Sequence, residues 1–146
     1  MKNLFHLTAK SNPDLNVLRY LINLQIFQLD EKTDDSKNAL HLATMQNTLE
    51  VVKLLIETKQ FDLKDLTNDG ENLLHLSTYN QDNPSVFKYF FDLNLFELKQ
   101  KTTEGENLIQ SACQISGLQV VKQLVELKIF DLNEKDSNGM NILHLF

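Results

Sequence analysis

Glycine, proline and tryptophan are scarce in this chain of 146 residues, which contains four, two and none of them. The many tight turns of a β-sandwich or β-barrel need glycine and proline, so the composition argues against an all-β fold. Cysteine is nearly absent too: the single Cys113 cannot form an internal disulfide, and no Asn-x-Ser/Thr glycosylation site occurs. Both absences predict an intracellular, cytoplasmic protein, with the nucleus or a host cytosol left open.

Positive charge is also in short supply. The chain has 14 basic and 20 acidic residues, which gives a formal net charge of −6, and Arg19 is its only arginine. The cations are scattered, so we expect no nucleic-acid binding, because a phosphate backbone would be repelled. No run reaches the roughly 18 apolar residues of a membrane span, and the N-terminal apolar stretch is too interrupted for a signal peptide. The sequence therefore predicts no membrane insertion.

A period of 34 or 35 residues organises what is present. Gly70, Gly105 and Gly139 are spaced by 35 and 34 residues, and each precedes an asparagine with one residue between them. The asparagines that open apolar runs are Asn3, Asn38, Asn72, Asn107 and Asn141, and the phenylalanines on the same period are Phe27, Phe61, Phe96 and Phe130. Such unlike residue types do not share a period by chance. The chain is predicted to be one array, 1–146, with units at about 3–37, 38–71, 72–106 and 107–140 and a partial unit at 141–146.

Local patterns within one unit predict two helices and a turn. ALHLATMQ, which follows the good N-cap Asn38, and LEVVKLLIE, which follows Thr48, both place apolar residues at helical spacing. Residues 61–71 then lose that periodicity, alternate apolar and polar side chains and end in a glycine turn, which predicts a short extended arm with a tight tip. Pro13 and Pro84 are predicted to lie in the turns between helices.

These blocks resemble the ankyrin repeats, whose unit reads roughly D-x-x-G-x-T-P-L-H-x-A, then G-h-L-E-V-V-x-x-L-L, then G-A-D-V-N. The matching segments here are DSNGMNILHL, NTLEVVKLLIE and FDLNEKD, and the resemblance covers essentially the whole chain. It implies an all-α repeat fold, an ankyrin-repeat solenoid of helix-turn-helix units joined by short β-turn or hairpin fingers. The chain departs from the pattern where Lys59-Gln60 and Lys128-Ile129 replace the glycine that ends the second helix. It also has Ser36 at a fingertip glycine position and Gln110 at a histidine position.

Recurring residues at the base and tip of each finger are predicted to be structural. They are Asn38, His41, Gly70, Asn72, His75, Gly105, Asn107, Gly139 and Asn141. The histidine row (His6, His41, His75 and His144) does not predict a zinc site, because residues repeated once per unit lie about 8–10 Å apart in a stack, whereas zinc ligands lie about 2 Å from one ion. Gln110 fits the structural role, since an amide replaces the hydrogen bonds of imidazole but ligates metal poorly.

Catalytic chemistry finds little support in the sequence. Cys113 has Ala112, Gln114 and Ile115 as neighbours, which offer no activating base, so it is predicted to be buried filler. Gly-rich phosphate loops, G-x-S-x-G and HExxH are all missing, and the tips do not carry the twelve-residue ligand pattern of an EF-hand. We expect no enzyme activity, no metal and no cofactor.

A partner-binding surface is the remaining prediction. In ankyrin arrays partners meet the concave face, which the fingertips and the exposed side of the first helices form. The candidate residues in that register are Asp34, Asp35, Lys37, Met45, Gln46, Asp69, Glu71, Tyr79, Asn80, Glu104, Glu106, Gln114, Ile115 and Met140. The excess of acids predicts a protein partner with a basic segment, although ordinary solvated turns would look the same. Tyr79 and Met45 are the predicted hot spots.

The two ends lack recognisable polar caps. The chain opens directly on NLFHL and stops at NILHLF, which leaves Phe5 and Phe146 near its ends. An ankyrin unit cannot bury its apolar face alone, so we expect either a piece of a longer array or end-to-end self-association. A non-catalytic protein-interaction module is the first functional hypothesis. The alternative is a targeting segment of a larger, host-directed effector or multidomain protein whose catalytic part lies outside this sequence.

Overall fold

The computed structural model describes residues 3–11, 14–115 and 118–143, with only the backbone at residue 115. Helices are the only regular elements in this described part, and they come in four pairs. The pairs are α1 (Leu4–Ser11) with α2 (Leu15–Asn23), α3 (Ala39–Gln46) with α4 (Leu49–Glu57), α5 (Leu73–Ser77) with α6 (Pro84–Asp92), and α7 (Leu108–Ile115) with α8 (Leu118–Glu126). The all-α repeat fold predicted from the sequence is confirmed.

The helices form two stacked layers. The first helices pack in the order α1, α3, α5, α7, and α2, α4 and α6 pack beside them in a second layer. Helix α3 lies between two neighbours, so every residue from Ala39 to Thr44 is buried, whereas α4 buries Val51, Val52, Leu54 and Leu55 and exposes Glu50 and Lys53. The apolar core therefore runs along the array between the layers, where each unit covers the next.

Each unit is followed by a finger, which we define as residues 33–37, 67–71, 102–106 and 136–140. In every finger the N–H of the first residue donates to the carbonyl of the last, as from Thr67 to Glu71 at 3.1 Å. The described residues contain no β-strand, so the predicted extended arm is a hairpin-like turn and not a strand. Pro84 is also displaced from its prediction: it is the first residue of α6, where its missing N–H costs no helical bond.

The second helices end without glycine and yet keep the geometry that glycine usually supplies. Gln25, Lys59, Asn94 and Lys128, each following a second helix, have φ between 54° and 57°. This left-handed conformation lets the N–H of Lys59 donate to the carbonyl of Ile56 at 3.0 Å. The helix-ending turn is therefore retained, at the steric cost that a side chain pays in the left-handed region.

We expect Lys128→Gly to raise the free energy of unfolding by about 1 kcal/mol, because glycine removes the strain at φ 56°. The matched control is Lys122→Gly, which makes the same change at an exposed position inside α8 and should lower stability by about 1 kcal/mol. Urea unfolding followed by circular dichroism measures both. If both substitutions change the free energy of unfolding by the same amount in the same direction, strain at residue 128 is not released.

Candidate interaction surface

Helices α1, α3 and α7 begin with a reciprocal bond between an asparagine and the residue three positions later. The side chain of Asn38 accepts from the N–H of His41 at 2.9 Å, and Nδ1 of His41 accepts from the N–H of Asn38 at 3.1 Å. The other ring nitrogen of His41 donates to the carbonyl of Asp65, 3.3 Å away. The pair thus caps α3 and connects it to Asp65, just before the next finger. Asn3 and His6 cap α1 and connect it to Glu31 in the same way.

Gln110 reproduces this arrangement with an amide. Its Oε1 accepts from the N–H of Asn107 at 2.8 Å, and its Nε2 donates to the carbonyl of Glu134 at 2.9 Å. The side chain of Asn107 accepts from the N–H of Gln110 at 3.0 Å. An amide therefore satisfies every bond that the ring makes in the other units.

His75 departs from the pattern although its position is the same. Its ring Nδ1 donates to the side-chain oxygen of Asn72 at 3.0 Å, and Nε2 has no hydrogen-bond partner in the described part of the chain. Burial lowers the pKa of His75 to about 4, and the carbonyl of Gln100 opposes this with a smaller effect. Burial also lowers the pKa of His41. Both rings are therefore neutral at pH 7.

The finger tips are linked by a line of backbone bonds. The N–H groups of Asn68, Thr103 and Ser137 donate to the carbonyls of Asp35, Asp69 and Glu104 in the preceding finger, at 3.3, 2.8 and 2.9 Å. The glycine of each of these three fingers (Gly70, Gly105 and Gly139) has a positive φ, of 73°, 77° and 77°. Ser36 takes φ 60° in the first finger, and its hydroxyl donates to the side chain of Asn68 at 2.7 Å. Asn141, after the last finger, accepts from the N–H of Leu143 at 3.0 Å.

The last residue of a finger accepts a bond from the side chain eight residues later, which lies just after α5 for Glu71 and in α7 for Glu106. The hydroxyl of Tyr79 donates to Glu71 at 2.8 Å, and the amide of Gln114 donates to Glu106 at 2.7 Å. Lys37, the equivalent residue of the first finger, instead forms an ion pair with Asp35 at 2.7 Å. The sequence places these residues on one face, and the structure shows the bonds that join them, which no periodic pattern specifies.

Glu71 is the most enclosed acid of this face, with 7% of its surface exposed. Burial raises its pKa, the hydroxyl of Tyr79 and the charge of Lys37 oppose the rise, and the charges of Asp69 and Glu106 add to it. The pKa of Asp35 is lowered to about 2, chiefly because Lys37 and Thr33 donate to it. Negative charge is thus concentrated on the fingers, and the lysine beside it is already paired.

A groove of about 450 Å³ lies between the ends of α3 and α5. Its lining residues are Met45, Gln46, Tyr79, Asn80, Gln81 and Asp82. Four of them belong to the candidate residues predicted from the sequence. Gln81 and Asp82 are not predicted, because they follow the helix in a turn that is longer in this unit than in the second one.

Asn80 was predicted to be exposed, and this prediction is wrong. Only 5% of its surface is exposed, and its amide donates to the carbonyls of Thr44 at 3.1 Å and Asn47 at 2.7 Å. The spacing from Asn72 to Pro84 is 12 residues, whereas Asn38 to Leu49 spans 11. Helix α5 ends early at Ser77, and Asn80 turns back to the preceding unit. Asn47 makes the same kind of contact with the carbonyl of Ala9 in the unit without the extra residue, so an asparagine after the first helix is the signal in the sequence that could have revealed it.

The other candidates differ in accessibility. Asp34, Asp35, Gln46, Asp69, Glu104 and Gln114 are exposed, whereas Lys37, Met45, Tyr79, Glu106 and Met140 are half-buried. The side chain of Ile115 and the predicted contributions of His144 and Phe146 lie outside the described residues. The accessible candidates therefore group on the fingers and on the ends of α3, α5 and α7.

The described ranges contain neither a cluster of metal-ligating side chains nor an activated thiol. No group of three or more metal-ligating side chains is present there. Cys113 is buried, and burial raises the pKa of its thiol, which disfavours the nucleophilic thiolate. No helix in the described part is long and apolar enough to cross a membrane.

Comparison with protein families gives one match. Residues 5–97 match a family model described as ankyrin repeats (3 copies). The match covers the first three helix pairs, and the fourth pair, α7 with α8, repeats the same order of elements. No curated protein matches the chain.

Proposed function

This chain belongs to the ankyrin repeat family, whose arrays are generally protein-protein interaction modules, and we propose that it binds a partner protein without catalysis of its own. The proposed contact surface is the finger face, which we define as the fingers together with the accessible residues at the C-terminal ends of α3 and α7 and in the turn after α5. In ankyrin arrays this is the concave face. The partner segment that fits it is basic, because the exposed acids Asp69 and Glu104 and the half-buried Glu106 lie on consecutive fingers.

The observation that carries this proposal is the fixed position of Tyr79. Its ring is half-buried, its hydroxyl is held by the buried Glu71, and it lines the groove between α3 and α5. An aromatic side chain that is held in place and remains accessible loses little entropy on binding, which is the usual property of an interface anchor. The acids around it supply orientation and steer a basic partner.

Charge reversal on the fingers tests the proposal. We combine Asp69→Lys with Glu104→Lys. The immobilised variant should retain at least about tenfold less partner protein than the unchanged chain, because repulsion replaces attraction at a basic partner. The matched control is Glu50→Lys with Glu57→Lys, which reverses two exposed acids of α4. Quantitative mass spectrometry of the retained proteins measures the loss. Equal losses in both double variants would show unspecific charge attraction, and no loss in the finger variant would exclude this face.

A further inference from the structure

We infer that the groove between α3 and α5 is a subsite for one arginine side chain of the basic partner segment. The inference rests on the proposed function and makes it specific. It depends on three properties of the groove: its walls, its charge and the rigidity of its aromatic ring.

The walls suit a long side chain with a planar cationic end. Met45 and the ring of Tyr79 supply apolar contact in a lining that is otherwise polar, and Gln46 adds a carbonyl that accepts hydrogen bonds. The volume of about 450 Å³ admits an extended arginine with room for water. A guanidinium group stacks on an aromatic ring and donates in a fixed plane, whereas a lysine ammonium is a more strongly hydrated point charge.

The charge of the groove selects a cation. Asp82 is the only charged residue that lines it, and no ion pair in the described part involves Asp82. Burial raises the pKa of the Tyr79 hydroxyl, and the nearby carboxylates of Glu71, Glu106 and Asp69 add to the rise. Negative charge therefore lies both in the groove, at Asp82, and next to Tyr79, and the partner has to supply the cation.

The ring is held before any ligand arrives. Its hydroxyl donates to Glu71 at 2.8 Å, and the adjacent Asn80 is fixed by two bonds to the preceding unit. These contacts keep Tyr79 in place against the groove. A cation–π contact then forms without an ordering step at this residue.

The test measures a fluorescein-labelled Gly-Ser peptide in which every third residue is arginine, by fluorescence anisotropy with the whole chain. We expect Tyr79→Leu and Asp82→Asn each to weaken binding by about fivefold or more, because each removes one side of the cation's contacts. Tyr79→Phe keeps the ring and loses only the hydroxyl bond to Glu71, so it should weaken binding less than Tyr79→Leu does. Peptides with lysine or citrulline at the same positions should bind more weakly. A shift of the Met45 methyl resonance on addition of the arginine peptide would locate the contact.

Two sets of results would overturn the inference. One is arginine-peptide binding that is unchanged by both Tyr79→Leu and Asp82→Asn in variants whose circular dichroism is unchanged. The other is equal binding of the citrulline peptide, which has the same shape without the charge. If Asp69→Lys with Glu104→Lys still abolishes partner capture while Tyr79→Leu does not, the arginine subsite fails and the proposed function stands. If Asp69→Lys with Glu104→Lys does not reduce partner capture, the proposed function fails independently of the arginine subsite.

Discussion

Gly105→Ala is expected to lower the free energy of unfolding by about 2–4 kcal/mol, the largest effect of any fingertip substitution. The backbone at Gly105 has φ 77°, which costs about 1–2 kcal/mol for a residue with a side chain. A Cβ there would also lie 2.6 Å from the hydroxyl oxygen of Ser137 and 2.9 Å from its backbone N. That N–H donates to Glu104, so the clash falls on the bond that joins the last two fingers.

Gly139→Ala separates the two contributions, because Gly139 has the same φ of 77° and, apart from its chain neighbours, no described residue within 4 Å of the added Cβ. We expect it to cost about 1–2 kcal/mol from the backbone alone. Gly70→Ala should fall between them, since its Cβ would be 3.1 Å from the backbone N of Thr103. Urea unfolding gives the three values under one condition. If Gly105→Ala and Gly139→Ala cost the same, contact between fingers does not limit these positions.

The second large effect is a dependence of stability on pH that arises at His75. The unfolded histidine binds a proton near pH 6.5, whereas in the folded chain the pKa is about 4. Between these values the unfolded state holds more protons, so stability is full above pH 6.5 and falls as the pH decreases towards 4. The difference of pKa corresponds to about 3 kcal/mol at pH 4. Acidification therefore weakens the third unit.

His75→Gln should remove about 3 kcal/mol of this loss of stability between pH 7 and pH 4. At pH 7 its free energy of unfolding should stay within about 1 kcal/mol of that of the unchanged chain. Gln110 shows that glutamine is accommodated at the equivalent position of the next unit, where both ends of its amide are hydrogen-bonded. In the reciprocal variant Gln110→His, the free energy of unfolding should fall more steeply over the same pH range than in the unchanged chain. Urea unfolding at a series of pH values measures each difference, in which the contributions of His41 and Glu71 cancel. A parallel pH profile of His75→Gln and the unchanged chain would contradict the assignment.

The periodic sequence predicts the fold well because each repeated residue has a local reason for its position. Asn38 caps the helix that follows it, and Gly70 occupies a turn that requires positive φ. Neither requirement depends on distant parts of the chain. The array of helix pairs and turns therefore follows from the spacing of such residues.

The interaction surface is less predictable, because side-chain burial depends on the neighbouring unit. Asn80 turns inward to carbonyls of the preceding unit, and the buried Glu71 is the acceptor for Tyr79. The register assigned both Asn80 and Glu71 to the accessible surface. Lys59 gives another example: the ankyrin pattern has a glycine at the end of this helix, whereas the structure shows that lysine adopts the left-handed turn. The contacts that decide these cases lie between units, and a repeat pattern describes one unit at a time.

The stacking of each helix on its counterpart in the next unit also has a consequence for folding kinetics. Contacts between adjacent units close chain segments of about one repeat, so the entropy lost in each closure does not grow with the number of repeats. Low contact order of this kind is associated with fast folding. Structure can then nucleate in the aromatic-rich third unit, where Phe87, Phe90 and Phe91 lie, and propagate outward in both directions one neighbour at a time.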